Sequence, residues 1–343
     1  MLKERLTRMQ ALADNQSTEL AVPSLECGTV ISQRYRIESV IASGGMGTVY
    51  AGRHLRLEHE VAIKTLRPSL SRSMEAVARF VGEAKLLSRL RIRGVPRVID
   101  LGRTGSGVLY MVQELVVGED LRSRTCRQAL NQRAIMVIAA QLAAILDSVH
   151  RQGVVHRDVK PENVIIGEDG QVFLVDFGIA KFRSTRAMTF IGERLGSPDY
   201  MAPEQLRAPA RVDLRADIWS LGALMYEQLL RDEALQEIVV GGEWDAERLR
   251  QAERLLFQRR PDVSLDLWAI VKRCLQPDCM QRYASAGELQ RALIATAAAQ
   301  RARVTHSTGQ AALGAKRNDT ARSSSTEVGA EVRGGHRKPM TIV

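Results

Sequence analysis

His156-Arg157-Asp158-Val159-Lys160-Pro161-Glu162-Asn163 is the stretch of this 343-residue chain that decides its fold. It sets a carboxylate, an ammonium two residues later and a neutral amide oxygen five residues later in one short polar segment. Asp158 can accept a hydrogen bond from a hydroxyl group, Lys160 can meet an anion, and Asn163 offers an oxygen to a hard divalent cation. A polar loop built only to satisfy His156 does not account for that spacing.

Moving outward, Asp176-Phe177-Gly178 stands thirteen residues after Asn163 and follows the apolar strand Val172–Val175, bringing a second carboxylate for the same cation. Ala202-Pro203-Glu204 closes the segment that starts there, and Glu204 is a charge expected to be buried, with Arg282 as its candidate partner. Upstream, Val61-Ala62-Ile63-Lys64 ends an apolar strand on a lysine, which is costly to bury unless paired. Glu83, between Phe80 and Leu87 on the inner stripe of a helix expected from about Met74 to Leu90, is a ready partner. Earlier still, Ala42-Ser43-Gly44-Gly45-Met46-Gly47-Thr48-Val49 forms a turn whose backbone amides can approach phosphates. A second strand follows it rather than a helix, which suits a hairpin lid and not the opening of a dinucleotide-binding βαβ unit. Phosphates held still, charge neutralised and a hydroxyl aligned are the requirements of phosphoryl transfer.

Around these motifs the chain divides into three parts. Residues 1–34 read as a leader, partly disordered, with an amphipathic start and Pro23. From Tyr35 the period-two alternation of Tyr35–Ile41, the run Thr48–Gly52, Glu60–Leu66, and short strands near Arg97–Arg103 and Val108–Leu115 predict an antiparallel β-rich lobe over about 35–115. Past Gly118 the chain turns helical. Asn131 caps a helix with Ile135, Ile138, Leu142, Ile145, Leu146 and Val149 on one face, Gly153 ends it, and further helices are expected near 217–231, 245–257, 265–275 and 285–297. From about Thr296 hydrophobic periodicity stops, and 297–343 reads as a basic disordered tail.

Composition narrows the function classes. Hydrophobic content of 45% and charged content of 26% suit a globular protein. The net charge of +10 invites a nucleic-acid partner, but 297–343 carries eight Lys or Arg against three acids, half of the excess, with no aromatic residues for stacking on bases. Nucleic acid is therefore not expected as a partner. Cys27, Cys126, Cys274 and Cys279 lack the spacing of a zinc site and read as free thiols. The N-terminus carries charges where a signal peptide needs an apolar stretch, and the longest near-apolar run, Val137 to Leu146, is short of the roughly 20 residues of a membrane span. No membrane span and a cytoplasmic location are expected.

Taken in order, the glycine-rich turn, Lys64, Glu83, the Asp158 loop, Asp176 and Glu204 resemble the eukaryotic-type Ser/Thr protein kinases found in bacteria, over about residues 35–296. Gly44-Gly45-Met46-Gly47 and Tyr200-Met201-Ala202-Pro203-Glu204-Gln205 are similar to that branch in particular. The resemblance implies an α+β, bilobal protein-kinase-like fold with a C-lobe over about 116–296, ATP in the cleft, and Mg2+ (or Mn2+) held by Asn163 and Asp176. It implies that Asp158 orients the acceptor hydroxyl, Lys160 meets the γ-phosphate, and Lys64, oriented by Glu83, meets the α- and β-phosphates. Ile41, Val49, Ala62 and Ile165 would enclose the adenine, Glu114 and Val116 would offer backbone hydrogen bonds, Gln113 would be the gatekeeper, Asp120 would contact the ribose, and Asp217 would tie down the catalytic loop. Lys160 and Ser197 fit the Ser/Thr pattern, so protein Ser/Thr hydroxyls are the expected acceptors.

Two departures stand against the family pattern. Ala42 replaces the first glycine and could loosen the lid, and 231–236 replace the usual Gly-x-x-Pro-Phe stretch, which bears on substrate docking. A pseudokinase scaffold is disfavoured because Lys64, Asp158 and Asp176 are all present. A small-molecule phosphotransferase is disfavoured by retention of Gly196–Gln205. Arg157 beside a segment carrying Ser184, Thr185 and Thr189 suggests regulation, since a phosphate there would pair with the guanidinium and order the loop.

Overall fold

The computed structural model describes residues 25–177, 198–207, 212–230 and 244–303. Strands β1 (Val30–Ile31), β2 (Tyr35–Gly44), β3 (Gly47–His54), β4 (Glu60–Leu66), β5 (Val98–Arg103) and β6 (Leu109–Glu114) form one antiparallel sheet in the order β1-β2-β3-β4-β6-β5. Alternation along each strand sends Tyr35, Ile37, Tyr50, Ile63, Tyr110 and Val112 to one face, where they form a core cluster. Ala62 and Lys64 take the alternate positions of β4 and so belong to the opposite face. Helix α1 (Met74–Leu87), capped by the Ser73 hydroxyl accepting from the Ala76 N–H, buries Phe80, Glu83, Ala84 and Leu87 and touches β5.

The sheet begins five residues before the strand expected from Tyr35. Val30 and Ile31 pair with Arg36 and Tyr35 on the first long strand, and Ile31 is buried in the core cluster, with Leu25 packed against it. A two-residue strand has too little periodicity to be seen in sequence, and only the sheet edge beside it gives it partners.

The helical lobe opens with a second sheet of β7 (Gly118–Asp120), β8 (Val164–Gly167) and β9 (Val172–Leu174). Its helices are α2 (Leu121–Arg127), α3 (Gln132–His150), α4 (Pro203–Arg207), α5 (Arg215–Leu230), α6 (Ala246–Arg259), α7 (Leu265–Cys274) and α8 over 286–296. Asn131 caps α3 as expected, its side-chain oxygen accepting from the Ala134 N–H at 2.8 Å, and Gly153 beyond the helix has φ +74°. Every residue of α5 from Ala216 to Leu230 is buried, which makes it the hub against which α3 and α7 pack. A Cβ on Gly222 would lie 2.5 Å from the Cys274 Cβ, so the α5–α7 approach depends on that glycine.

Helix α3 is long and apolar enough, by length and composition, to cross a membrane, more so than the Val137–Leu146 run suggests. It instead buries Ile135, Ile138, Leu142, Ile145 and Val149 and contacts α5 and β9. Residues 297–303, in a second unit of Ala297–Val343, are helical, which corrects the expectation of disorder for those seven; the rest of the tail lies outside the described residues. All four cysteines are free, with Cys27 and Cys126 exposed and Cys274 buried.

Candidate active site

Lys64 occupies the centre of the cleft. Its Nζ donates to Glu83 Oε1 at 2.8 Å and to Asp176 Oδ1 at 2.9 Å. β4 brings the lysine, α1 the glutamate and the chain after β9 the aspartate, so one ammonium ties three elements together. Burial opposes its charge, but Asp176 and Glu83 outweigh that and hold it well above the ordinary lysine range. Glu83 is almost fully buried, whereas the Asp176 side chain is 44% exposed and open to other ligands.

On the opposite wall, Asn163 Nδ2 donates to the Asp158 carbonyl at 2.8 Å and to Asp158 Oδ2 at 2.9 Å, while Lys160 Nζ lies 3.5 Å from the same Oδ2. With its nitrogen turned to Asp158, the Asn163 amide oxygen is not used in these bonds. The Val175 N–H donates to the Asn163 carbonyl at 2.9 Å, which brings Asp176 beside it.

Beneath the loop, the fully buried Asp217 at the start of α5 accepts from the His156 N–H at 2.8 Å, the Arg157 N–H at 2.7 Å and His150 Nε2 at 2.8 Å. Burial alone would raise the Asp217 pKa; the bond and charge of His150, with His156 and the Arg157 N–H, instead hold it below the ordinary value. These bonds restrain Arg157 at φ +66°, a left-handed conformation that costs a non-glycine residue about 1–3 kcal/mol. Asp176 is also left-handed, at φ +54°. The His156 ring stacks on Phe177 at 4.3 Å, its Nδ1 accepts from the Asp158 N–H and its Nε2 donates to the Val175 carbonyl, both at 3.2 Å. Burial pushes the His156 pKa below its usual value despite Asp217 and Asp158 nearby, so the ring is neutral at pH 7.

The lid is closed in register. Ala42 pairs with Val49, Ser43 with Thr48 and Gly44 with Gly47, leaving Gly45 and Met46 at the tip. The β2–β3 register shifts between Val40 and Ala42, and beyond that slip the Ser43 and Thr48 hydroxyls share a hydrogen bond at 3.3 Å. Gly47 is needed because a Cβ there would fall 1.8 Å from the Thr65 carbonyl oxygen. Ile41, Val49 and Ala62 come from this sheet and Ile165 from β8, on the two sides of the cleft. Gln113 pairs with Ala62 on the inner strands. At the linker between lobes, the Glu114 N–H donates to the Arg97 carbonyl at 2.9 Å, with Val116 half-buried beyond it.

Asp120, expected to contact the ribose, also has a local role in this structure. Its carboxylate caps α2, accepting from the Ser123 N–H at 2.9 Å and the Ser123 hydroxyl at 2.6 Å. An aspartate before a short helix carries the capping signal as plainly as the ligand one, and the cap is local.

Glu204 and Arg282 meet as a two-bond ion pair at 2.6 and 2.9 Å, with the guanidinium 4.8 Å from the Trp219 ring centroid and no exposure of the side chain. Three further polar groups were not legible in the sequence. His150 supports Asp217, and Gln205 bridges the Ala202 N–H and the Arg157 carbonyl. Arg122 reaches Glu162 at 3.0 Å, Glu227 at 2.6 Å and the Tyr200 hydroxyl at 2.6 Å. The signal available was an ionisable residue inside an apolar helical stripe, as at His150 in α3 and Glu227 in α5. Ser184, Thr185, Thr189, Ser197 and 231–236 lie outside the described residues.

Among the described residues no group of three His, Cys, Asp or Glu could hold a metal unaided. Asp176 and Asn163 supply one carboxylate and one amide oxygen, a donor set that fits a hard cation whose remaining ligands are phosphate oxygens and water. Comparison with known proteins agrees with this geometry. A protein kinase domain model matches residues 35–294. The chain is 34% identical over 270 residues to serine/threonine-protein kinase pkn3 of Myxococcus xanthus, covering 76% of this chain and 49% of that one. It is 37% identical over 283 residues to PknJ of Mycobacterium tuberculosis, covering 79% and 46%. It thus spans about half the length of the curated relatives it matches. The crystal structure of the Mycobacterium tuberculosis PknI kinase domain superposes with a TM-score of 0.61 at 26% identity, over 79% of this chain and 98% of that domain. With one ammonium joining Glu83 to Asp176, the Asp158 loop tied to Asp217, and a domain match spanning both lobes, the chain belongs to the protein kinase family, among its bacterial eukaryotic-type Ser/Thr members.

Proposed function

We propose that this chain transfers the γ-phosphate of ATP to Ser or Thr hydroxyls of proteins, itself included. The observation that carries the proposal is Lys64 held at 2.8 and 2.9 Å between Glu83 and Asp176, opposite Asp158, Lys160 and Asn163. Mg2+, or Mn2+, on Asp176 and Asn163 would neutralise phosphate charge in the transition state. Lys64 is pre-aimed, so no reorganisation is needed to meet an anion entering the cleft. Asp158, 3.5 Å from the Lys160 ammonium, can accept the hydrogen bond of an incoming hydroxyl, which would fix the oxygen for attack. Lys160 then stands between Asp158 and the transferred group. Gly47 allows the lid backbone to lie against β4 over the phosphates.

ATP as donor places the reaction on the cytoplasmic side. Arg157 with Ser184, Thr185 and Thr189 belongs to the same proposal, as a site where phosphate would order the neighbouring segment. The test is incubation of the purified chain with Mg2+ and γ-labelled ATP, alone and with a generic protein substrate, followed by phosphoamino-acid analysis. Label on serine and threonine that disappears with EDTA supports the proposal. No transfer at all would return the chain to a scaffold role, and label on tyrosine alone would overturn the acceptor assignment.

A further inference from the structure

Arg122 lies in the first turn of α2, and its guanidinium reaches three separate parts of the helical lobe. Its Nε donates to Glu162 Oε1 at 3.0 Å, Nη1 to Glu227 Oε1 at 2.6 Å and Nη2 to the Tyr200 hydroxyl at 2.6 Å. Each nitrogen has its own partner, a geometry that the planar fork of arginine provides and the single nitrogen of lysine does not. Tyr200 closes the network by donating to Glu227 Oε2 at 2.6 Å, so its hydroxyl accepts one bond and donates another. Burial, then Glu227, holds the phenol above its ordinary pKa and keeps that proton in place. Burial opposes the charge of Arg122 as well, but Tyr200, Glu227 and Glu162 outweigh it.

The partners sit at the working parts of the lobe. Glu162 belongs to the tight turn Pro161–Asn163, on the loop that carries Asp158 and Lys160. Glu227 lies on the buried hub α5. Tyr200 ends the turn Pro198–Tyr200, and Ser220 of α5 fixes its backbone by donating to its carbonyl at 2.7 Å. Just beyond, Gln205 accepts from the Ala202 N–H and donates to the carbonyl of Arg157, the residue before Asp158. A protein acceptor brings a length of chain along with its hydroxyl, and that chain needs a wall outside the phosphate site to hold it in line. The stretch from Tyr200 to Gln205 is tied to the catalytic loop beside Asp158 and is placed to form that wall. The Asp120 cap on the same helix uses the Ser123 N–H and hydroxyl and does not involve Arg122.

We propose that Arg122 is a positioning residue for the protein acceptor, acting through Tyr200 and touching neither ATP nor the reacting hydroxyl. The proposal rests on the reading of the chain as a protein kinase that accepts itself as substrate. Arg122 locks the Tyr200 hydroxyl to the turn that precedes Asn163, so the acceptor wall and the catalytic loop keep one spacing. Without it, Tyr200 keeps its bond to Glu227 on α5 but loses its tie to the loop.

The test is steady-state transfer of label from γ-labelled ATP to a size-tagged Asp158→Asn copy of the chain, with the substitutions made in the active enzyme. Arg122→Ala should raise the KM for this protein acceptor about tenfold while the KM for ATP stays within about twofold. Tyr200→Phe, which removes only the hydroxyl, should do the same. The double variant should go no further than either single one, since both break one link. Arg122→Lys keeps a charge beside Glu227, loses the fork and should behave as Arg122→Ala; it takes that variant's place if a thermal melt shows Arg122→Ala to be unfolded. An ATP KM that rises as much as the acceptor KM, effects that multiply in the double variant, or folded variants that match the wild type overturn the assignment and leave the transfer reading standing. Wild-type enzyme that passes no label to the copy overturns the transfer reading itself, and this assignment with it.

Discussion

Two buried charge clusters lie on either side of the catalytic loop and are built on opposite principles. Lys64–Glu83–Asp176 spans the lobes and ends on a side chain that is 44% exposed. Asp217 with His150, His156 and Arg157, and Arg282 with Glu204, lie wholly within the helical lobe, where Asp217 and Arg282 are sealed from water. In the first cluster a carboxylate oxygen can change partners when an anion or cation enters. In the second, each oxygen already has a donor, and no exchange is open to it. On the proposed function, the first cluster serves the chemistry and the second the geometry, and substitutions ought to divide the same way.

The largest effect is expected in the cleft. Asp158→Asn keeps the bond to Asn163 but loses the basic carboxylate, so the phosphoryl-transfer rate should fall about a thousandfold while the melting temperature stays within a few degrees. A rate unchanged in a folded variant would remove Asp158 from its role. Arg282→Ala is the matching test in the helical lobe. It strips Glu204 of its partner and leaves a void under Trp219, which should cost about 3–5 kcal/mol and lower the melting temperature by roughly 10 °C. Calorimetry showing a loss below about 1 kcal/mol would mean the pair is not structural.

A third prediction uses pH. The usual histidine value is 6.5, and burial places folded His156 below it, so the unfolded chain binds a proton in this range that the folded one does not. Stability therefore declines as pH falls from about 7 to 5, by up to 1.4 kcal/mol per unit of pH within the window between the two pKa values. The wild type should lose melting temperature over that range, and His156→Gln should lose less. Equal slopes would place the proton elsewhere. Asp217 acts lower on the scale: its folded pKa is depressed, so its contribution is complete above about pH 4 and is lost as pH falls through the folded value. The smallest effect belongs to the lid. Ser43→Ala removes one partly exposed hydroxyl bond and should raise the KM for ATP about twofold with kcat unchanged.

The sequence by itself determined the bilobal order, the limits of β4, the cap of α3 and the pairing of Lys64 with Glu83. These are carried by local information: period-two and period-three-to-four patterning, a capping residue, and rigid spacing within short motifs. It placed the start of the sheet too late, because β1 has two residues and exists only through its pairing with β2. It did not show that Asp120 also caps α2. It also passed over His150, Gln205, Arg122 and Glu227, whose bonds to Asp217, Arg157 and one another span 67, 48 and 105 residues of chain. No pattern in one sequence couples His150 to Asp217 or Arg122 to Glu227; that coupling comes from α2, α3 and α5 being packed together around a buried hub. Local chemistry is written residue by residue, whereas the partner of a buried charge is decided only when the chain closes on itself and water is gone.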